Sequence, residues 1–186
     1  SERAEKYWQI SYLNVRSLKC HKEDVEKDNF LMSADVFSLG ETHLEKGEEI
    51  HFNGYTGVFA SHGKGKGVST FYNTECAPVN SITSEKYSGI QLRFVKFDAI
   101  FLYLSSGCNK EEILNHLESW VVEKRPTVIM GDINIDYDKS NKLIKALDNL
   151  GFQQLIQEAT RISGTLIDHI YINKELHSLN VTTQLD

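Results

Sequence analysis

Polar residues follow several short apolar runs that have the pattern of β-strands. Asn14 follows "ISYL", Glu41 follows "FSLG", and Asp132 and Asn134 follow "VIMG". Residues at the carboxyl ends of neighbouring strands converge, because the strands run side by side and end together. Carboxylate and amide oxygens suit Mg²⁺, which prefers a few carboxylates together with water and substrate phosphate. The pattern therefore predicts a magnesium-dependent phosphoryl-transfer site.

Each of these residues also has an ordinary structural explanation when it is taken alone. Glu41 fits a solvated strand end, and Asn14 fits a turn. Gly131 and Asp132 fit a simple turn, after which Asn134 satisfies a local backbone amide. Only the order and spacing of the residues, taken together, favour a shared site.

The apolar patterns predict strands that alternate with helices. Strands are expected at residues 7–15, 34–42, 127–132 and 165–173, and hairpins are expected around "HGKGKG" and near residues 96–98. Helices are expected in "KEDVEKDNFLM", at residues 110–124 with Asn109 as the N-cap, and at residues 140–151. This order predicts an α/β protein with a two-layer sheet core and helices outside.

The bulk composition narrows the class of protein. The 186 residues are 40% hydrophobic and 25% charged with only 2 Pro, which is typical of one globular domain. The formal net charge of -6 argues against an extended basic surface for nucleic acid. It does not exclude a nucleic-acid enzyme, because a metal ion in an acidic cleft brings its own positive charge.

Cysteine usage and hydropathy bear on the compartment. The 3 cysteines form neither a disulfide framework nor a zinc-ligand spacing, which favours a reducing compartment. The sequence has no apolar run of signal-peptide or membrane-spanning length. We therefore expect a soluble, intracellular protein without a membrane partner, and the sequence does not indicate an oligomeric state.

Several stretches resemble the endonuclease/exonuclease/phosphatase superfamily, whose fold is like that of deoxyribonuclease I. They are "LNVRSL", "FSLGETHL", "GYTGVFASHGKGKGVSTFY", "TVIMGDIN" and "TLIDHIYIN", which span nearly the whole chain in the family's order. Within the superfamily, "GETHL", "GDIN" and "ATRISGTLIDHIYIN" are most similar to the apurinic-type endonuclease domain of non-LTR retrotransposons. The resemblance implies a four-layer α/β/β/α sandwich that forms a single domain over residues 1–186.

The resemblance also implies a role for each polar residue. Glu41 would bind the metal, Mg²⁺ or in its place Mn²⁺, and Asn14 would assist at the metal or phosphate. Asp132 would orient or deprotonate the attacking water, and Asn134 would hold the scissile phosphate. The implied activity is nicking of duplex DNA that leaves a 3'-hydroxyl and a 5'-phosphate, in the nucleus and as part of a larger retrotransposon polyprotein.

Two other functions remain open at this point. The first is a phosphodiesterase or phosphatase that acts on RNA, nucleotide or phospholipid substrates. The second is a catalytically impaired domain that only binds DNA or a protein partner. A substrate panel at fixed Mg²⁺ separates the first function from a nuclease. A titration with Mg²⁺ separates the second function from both enzymes, because an impaired site should not hold the metal.

The sequence departs from the nuclease pattern in the segment "LYLSSG". The family commonly has Tyr-x-Pro-Asn there, whereas this chain has Tyr103, no Pro, and Ser106 in place of the Asn. Tyr103 would donate its hydroxyl to a phosphate oxygen, or is a partly buried aromatic of the strand. In the glycine-rich turn, His62, Lys64 and Lys66 either contact nucleic acid or form a plain hairpin tip.

The last departure concerns Asp168. In the family this Asp orients the His of a later Ser-Asp-His stretch, and the 186-residue sequence contains no such stretch. We therefore expect Asp168 to be an orienting carboxylate, in a chain that is short at its C-terminal end and weak in catalysis. His169 is expected to face the opposite side of the strand as a satisfied or surface residue, and His43 to be a solvated rim residue.

Overall fold

The computed structural model describes residues 8–134, 142–155 and 168–177. The strands are β1 (Ile10–Asn14), β2 (Val36–Gly40), β3 (Thr56–Ala60), β4 (Val68–Tyr72), β5 (Ala77–Thr83), β6 (Tyr87–Arg93), β7 (Asp98–Leu104), β8 (Thr127–Asp132), β9 (Phe152–Gln154) and β10 (Asp168–Asn173). The helices are α1 (Leu18–Lys27), α2 (Asn29–Met32), α3 (Lys110–Trp120), α4 (Lys142–Asn149) and α5 (Lys174–His177).

The strands form two sheets of mixed direction. The four-stranded sheet has the order β1-β2-β4-β3, and the six-stranded sheet has the order β5-β6-β7-β8-β10-β9. In the first sheet β1 and β2 are parallel, with Asn14 opposite Gly40. In the second sheet β7 and β8 are parallel, with Tyr103 opposite Asp132. These two parallel pairs end side by side and supply the polar residues of the site.

Side chains alternate between the two faces of a strand, and the central strands β2 and β7 are buried on both faces. The two sheets pack against each other through apolar side chains such as Val36, Ile90 and Phe101. Helices α3 and α4 cover the outer face of the six-stranded sheet, where Ile113 and Leu147 are buried. Helices α1 and α2 cover the other sheet with the buried residues Leu18, Val25 and Leu31. The four-layer α/β/β/α sandwich is confirmed.

Three elements were not predicted from the sequence. Strand β5 is an edge strand that is largely exposed, contains Pro78 and has an irregular register between Pro78 and Asn80, so it lacks a clear alternating pattern. Strand β9 has 3 residues, and helix α5 has 4 residues. Elements of this length carry too few residues for their periodicity to be recognised.

Two predicted helices have wrong boundaries. The helix expected in "KEDVEKDNFLM" begins earlier, at Leu18, and is divided into α1 and α2 at Asp28, whose backbone is extended with φ -78° and ψ 101°. The helix expected at residues 110–124 ends at Trp120, and Val121 is already extended with φ -72° and ψ 126°. The β-branched residues Val121 and Val122 disfavour continuation of the helix at this point. The N-cap was predicted correctly, since the Asn109 side chain accepts a hydrogen bond from the backbone of Glu111 at 3.0 Å. Residues 140–141 and 165–167 of other predicted elements lie outside the described residues.

The three cysteines, Cys20, Cys76 and Cys108, are free thiols. Over the described ranges, no helix is both long enough and apolar enough to span a bilayer.

Candidate active site at the carboxyl ends of two sheets

The side chain of Asn14 connects two carboxylates that come from different sheets. Its Nδ2 atom donates to Glu41 Oε2 and to Asp132 Oδ2, and each distance is 2.9 Å. Its Oδ1 atom accepts from the backbone amide of Arg16 at 3.1 Å, which fixes the orientation of the amide plane. Asp132 is 1% exposed, and the Glu41 side chain is 25% exposed. The two acids therefore meet at the mouth of the gap between the sheets.

The backbone of Glu41 is held in an uncommon conformation. Its φ of 56° is left-handed, which costs a non-glycine residue about 1–3 kcal/mol. The Glu41 amide donates to the carbonyl of Gly67 at 2.9 Å, and the Glu41 carbonyl accepts from the amide of Ser17 at 2.9 Å. These bonds from two separate segments stabilise the conformation and aim the carboxylate at Asn14.

Asn134 supports Asp132 from the loop that follows β8. Its backbone amide donates to Asp132 Oδ1 at 3.2 Å, so both oxygens of that carboxylate accept hydrogen bonds. The Nδ2 atom of Asn134 donates to the carbonyl of Leu104 at 2.7 Å. Asn134 also has a left-handed φ of 50°. Among residues 8–134, 142–155 and 168–177, this bond engages one of the two amide hydrogens of Asn134.

Tyr103 lies beside Asp132 but its hydroxyl is directed to the glycine-rich hairpin. The hydroxyl donates to the carbonyl of Gly65 at 3.0 Å, and the residue is 6% exposed. Burial raises the pKa of Tyr103 to about 12, and the charges of Glu41 and Asp132 add to that increase. The structure thus places Tyr103 in the site as a buried aromatic whose phenol remains neutral.

The glycine-rich hairpin between β3 and β4 forms one side of the site. His62 and Lys64 are exposed, and Lys66 is half-buried. The carbonyl of Lys66 accepts from the amide of His43 at 3.0 Å, which joins the hairpin to the segment after Glu41. The three basic or imidazole side chains predicted for nucleic-acid contact are therefore carried on a loop that borders the acids.

Three other residues considered from the sequence are Ser106, Asp168 and His169. Ser106 is exposed in the loop after β7. The backbone of Asp168 pairs directly with that of Asp132 across the antiparallel strands β10 and β8. His169 is 1% exposed, and its Nδ1 lies 2.7 Å from the hydroxyl of Tyr171, so it is a buried residue with a partner.

His43 is closer to the centre than the sequence suggested. Its Nε2 atom lies 3.4 Å from Glu41 Oε1, and its side chain is 24% exposed. The backbone contributions of Ser17, Gly65 and Gly67 were also not foreseen, because a carbonyl or amide that positions a neighbour leaves no mark in the side-chain pattern. The spacing Glu41-x-His43 was the single available signal for His43.

The donor set fits a hard divalent cation. Two carboxylates converge on one amide, and within residues 8–134, 142–155 and 168–177 no Lys or Arg forms an ion pair with Glu41. In the same ranges no three His, Cys, Asp or Glu side chains group closely enough to form a metal cage by themselves. Mg²⁺ commonly takes one or two carboxylates and completes its shell with water and phosphate, so this donor set suits it.

Two facing mixed sheets flanked by helices define an α/β sandwich of the deoxyribonuclease I-like class. An AP endonuclease from Archaeoglobus fulgidus shares this fold with a TM-score of 0.71 and 18% identity, over 92% of this chain and 89% of that chain. The endonuclease domain of TRAS1, a telomere-specific non-LTR retrotransposon, shares it with a TM-score of 0.68 and 14% identity, over 92% of this chain and 87% of that chain. The 3' phosphatase NExo from Neisseria, bound to a product DNA hairpin, shares it with a TM-score of 0.61 and 14% identity, over 92% of this chain and 89% of that chain.

These similarities establish the fold. They confirm the fold that the resemblance implied, and the structures that share it include an endonuclease/exonuclease/phosphatase family protein from Bacteroides thetaiotaomicron. No family model matches the sequence, and no curated protein matches it either.

Proposed function

We propose that this protein hydrolyses phosphodiester bonds of nucleic acid with a divalent cation, Mg²⁺ or in its place Mn²⁺. The observation that carries the proposal is the Asn14 amide, which joins Glu41 and Asp132 with two bonds of 2.9 Å. A carboxylate at the rim and a buried carboxylate beside it are the groups that metal binding and water activation require. The shared fold with nucleases and phosphatases supports the same reaction class.

Each residue of the site would perform a separate task. Glu41 would hold the cation with the assistance of Asn14, and the cation when bound would stabilise negative charge on the phosphate oxygens. Asp132 would orient the attacking water, because its carboxylate is already fixed by Asn14 and by the backbone of Asn134. Asn134 would donate its remaining amide hydrogen to the phosphate. For Asp168, whose backbone pairs with that of Asp132, the family resemblance implies an orienting carboxylate.

The finer proposal is a nicking endonuclease of the retrotransposon type that acts on duplex DNA. Cleavage would leave a 3'-hydroxyl and a 5'-phosphate, in the nucleus and within a larger polyprotein. The hairpin side chains His62, Lys64 and Lys66 support a polyanionic strand as substrate, because they border the acids and can contact phosphates that flank the scissile one.

A phosphatase or phosphodiesterase with a smaller or different substrate is the second candidate. It is favoured by the net charge of -6 and by the exposed Ser106 hydroxyl, which replaces an amide contact of the nuclease pattern. The 3' phosphatase that shares this fold shows that the sandwich also serves phosphate monoesters. A panel of nicked plasmid, RNA, 3'-phosphorylated DNA and phospholipid head groups at fixed Mg²⁺ separates the two candidates.

The primary test is the binding of the cation itself. Isothermal calorimetry with Mg²⁺ and paramagnetic resonance with Mn²⁺ are expected to show a site in the native chain that Glu41→Gln removes. Glu118→Gln is the matched control, because Glu118 is an exposed residue of α3 on the far side of the six-stranded sheet. Plasmid relaxation over several hours then measures nicking.

The outcomes of this test differ between the three functions. Metal binding with Mg²⁺-dependent nicking supports the nuclease, and metal binding with release of phosphate from the panel supports the second candidate. A folded chain that does not bind either cation contradicts both proposals. That result would favour the third function, a domain that binds nucleic acid or protein without catalysis.

A further inference from the structure

Gly67 lies at the point where the glycine-rich hairpin meets the segment that carries Glu41. Its φ of 96° is left-handed, and a Cβ atom built on it would lie 2.9 Å from Thr42 Oγ1 and 3.3 Å from the carbonyl of Ala60. Real Cβ atoms essentially never approach another heavy atom closer than 3.0 Å. Both the backbone angle and the lack of space therefore require glycine at this position.

Thr42 cannot easily move away from such a side chain. It is 0% exposed, and its backbone carbonyl accepts a hydrogen bond from the amide of Leu18 at 2.9 Å. The residues on either side of it are bonded to the hairpin backbone, Glu41 to Gly67 at 2.9 Å and His43 to Lys66 at 3.0 Å. A side chain at residue 67 would push the whole segment, and Glu41 with it, away from the hairpin.

We infer that Gly67 is a positioning residue for the Glu41 carboxylate. Because residue 67 has no side chain, its carbonyl can accept from the amides of Thr42 at 3.4 Å and Glu41 at 2.9 Å, and these bonds hold Glu41 in the left-handed conformation that aims its carboxylate at Asn14. The inference rests on the proposed function, in which Glu41 holds the divalent cation. It adds that the affinity for the cation depends on the absence of a side chain at residue 67.

The experiment measures Mn²⁺ affinity by paramagnetic resonance in four variants of the full 186-residue chain. Gly67→Ala is expected to weaken binding on the order of tenfold, as is usual when a group that orients a metal ligand is disturbed. Gly54→Ala is the matched control, because Gly54 also has a left-handed φ, of 84°, but has nothing within 4 Å of an added Cβ. It is expected to change the affinity by less than about twofold, since its strain is remote from the metal ligand.

A double variant tests the contact itself. Gly67→Ala in a Thr42→Ala background lacks the Oγ1 atom that the new Cβ would meet, so the loss caused by residue 67 is expected to shrink to about threefold relative to Thr42→Ala alone. Circular dichroism and thermal melts check that each variant is folded. The ratio of affinities, measured on folded protein, is a readout that a general loss of stability does not change.

The results separate the inference from the proposed function. If the native chain does not bind Mn²⁺, the proposed function is contradicted and the inference falls with it. If the native chain binds and Gly67→Ala binds equally well, the inference alone is overturned. Should Gly67→Ala not fold, the double variant decides. Folding with restored affinity supports the inference, and failure of the double variant to fold overturns it.

Discussion

The hydroxyl of Tyr103 donates a hydrogen bond of 3.0 Å to the carbonyl of Gly65, which ties the six-stranded sheet to the hairpin of the four-stranded sheet. Tyr103 also stands opposite Asp132 in the parallel pair of β7 and β8. One aromatic residue thus contacts the flexible glycine-rich turn and lies beside the buried acid. The hairpin that carries Lys64 and Lys66 is held near the site by this bond.

Tyr103→Phe is expected to loosen the hairpin. The lost hydrogen bond contributes about 1 kcal/mol, which corresponds to about fivefold more frequent opening of the loop. Trypsin cuts after lysine, so limited proteolysis after Lys64 and Lys66 should accelerate by a similar factor. Mass spectrometry of the fragments measures the rate at each position.

Tyr55→Phe is the control for the loss of a tyrosine hydroxyl. The Tyr55 hydroxyl lies 2.7 Å from the carbonyl of Ala34 and 3.1 Å from that of Met32, far from the hairpin. Its removal should destabilise the domain by a comparable amount without faster cleavage after Lys64. Equal acceleration in both variants would mean that the hairpin opens with the whole domain, and the Tyr103 bond would not be a local restraint.

The raised pKa of Tyr103 predicts a loss of stability at high pH. Burial raises the pKa of Tyr103 in the folded chain to about 12, whereas the unfolded chain has the usual value of about 10. The stabilisation is complete below about pH 10 and is lost as the pH rises towards 12, because the unfolded chain releases this proton first. The native chain should therefore lose up to about 2 kcal/mol more than Tyr103→Phe between pH 9 and pH 11.5 in urea denaturation. Parallel pH curves for the two proteins would contradict the prediction.

The sequence predicts which residues form the candidate site better than it predicts how their side chains are arranged. Asn14, Glu41 and Asp132 were recognised because apolar periodicity shows where strands end, and parallel strands end together. The bond between Asn14 and Asp132 joins residues 118 positions apart and lies between two sheets. Such a contact depends on how the sheets face each other, which no local pattern records.

The left-handed residues of the site were also not predictable. Glu41, His43 and Asn134 all have positive φ, although none of them is glycine. Local preference disfavours that conformation, and here it is imposed by tertiary bonds such as the one from Glu41 to Gly67. Local rules fail most often where the surrounding structure forces a functional conformation.

Asp98→Ala is expected to destabilise the fold without changing the site. Asp98 is 0% exposed and accepts hydrogen bonds from Arg93, Arg125 and Gln91 at the start of β7, the end of that strand away from Tyr103. Removal of one partner from a buried ion pair costs about 3 kcal/mol. Urea denaturation should show that loss, and calorimetry should show unchanged Mg²⁺ affinity in the folded protein.

Asp148→Ala is the control for removal of a surface carboxylate. Asp148 is exposed on α4, so the free energy of unfolding should change by less than about 0.5 kcal/mol. A similar small effect for Asp98→Ala would contradict the view that the two arginines require their buried partner.

Asn14→Asp places a third carboxylate between Glu41 and Asp132. The variant loses both bonds from Nδ2 and adds repulsion between like charges, so the metal-free protein should lose about 2–3 kcal/mol of stability. A divalent cation relieves that repulsion, and the rise in melting temperature on addition of Mg²⁺ should exceed that of the native chain.

Asn80→Asp is the control, since Asn80 donates to Gln91 at 2.6 Å in β5 and β6, away from the acids. Its melting temperature should respond to Mg²⁺ as the native chain does. If Asn14→Asp responds no more strongly than Asn80→Asp, the cation is not held beside residue 14.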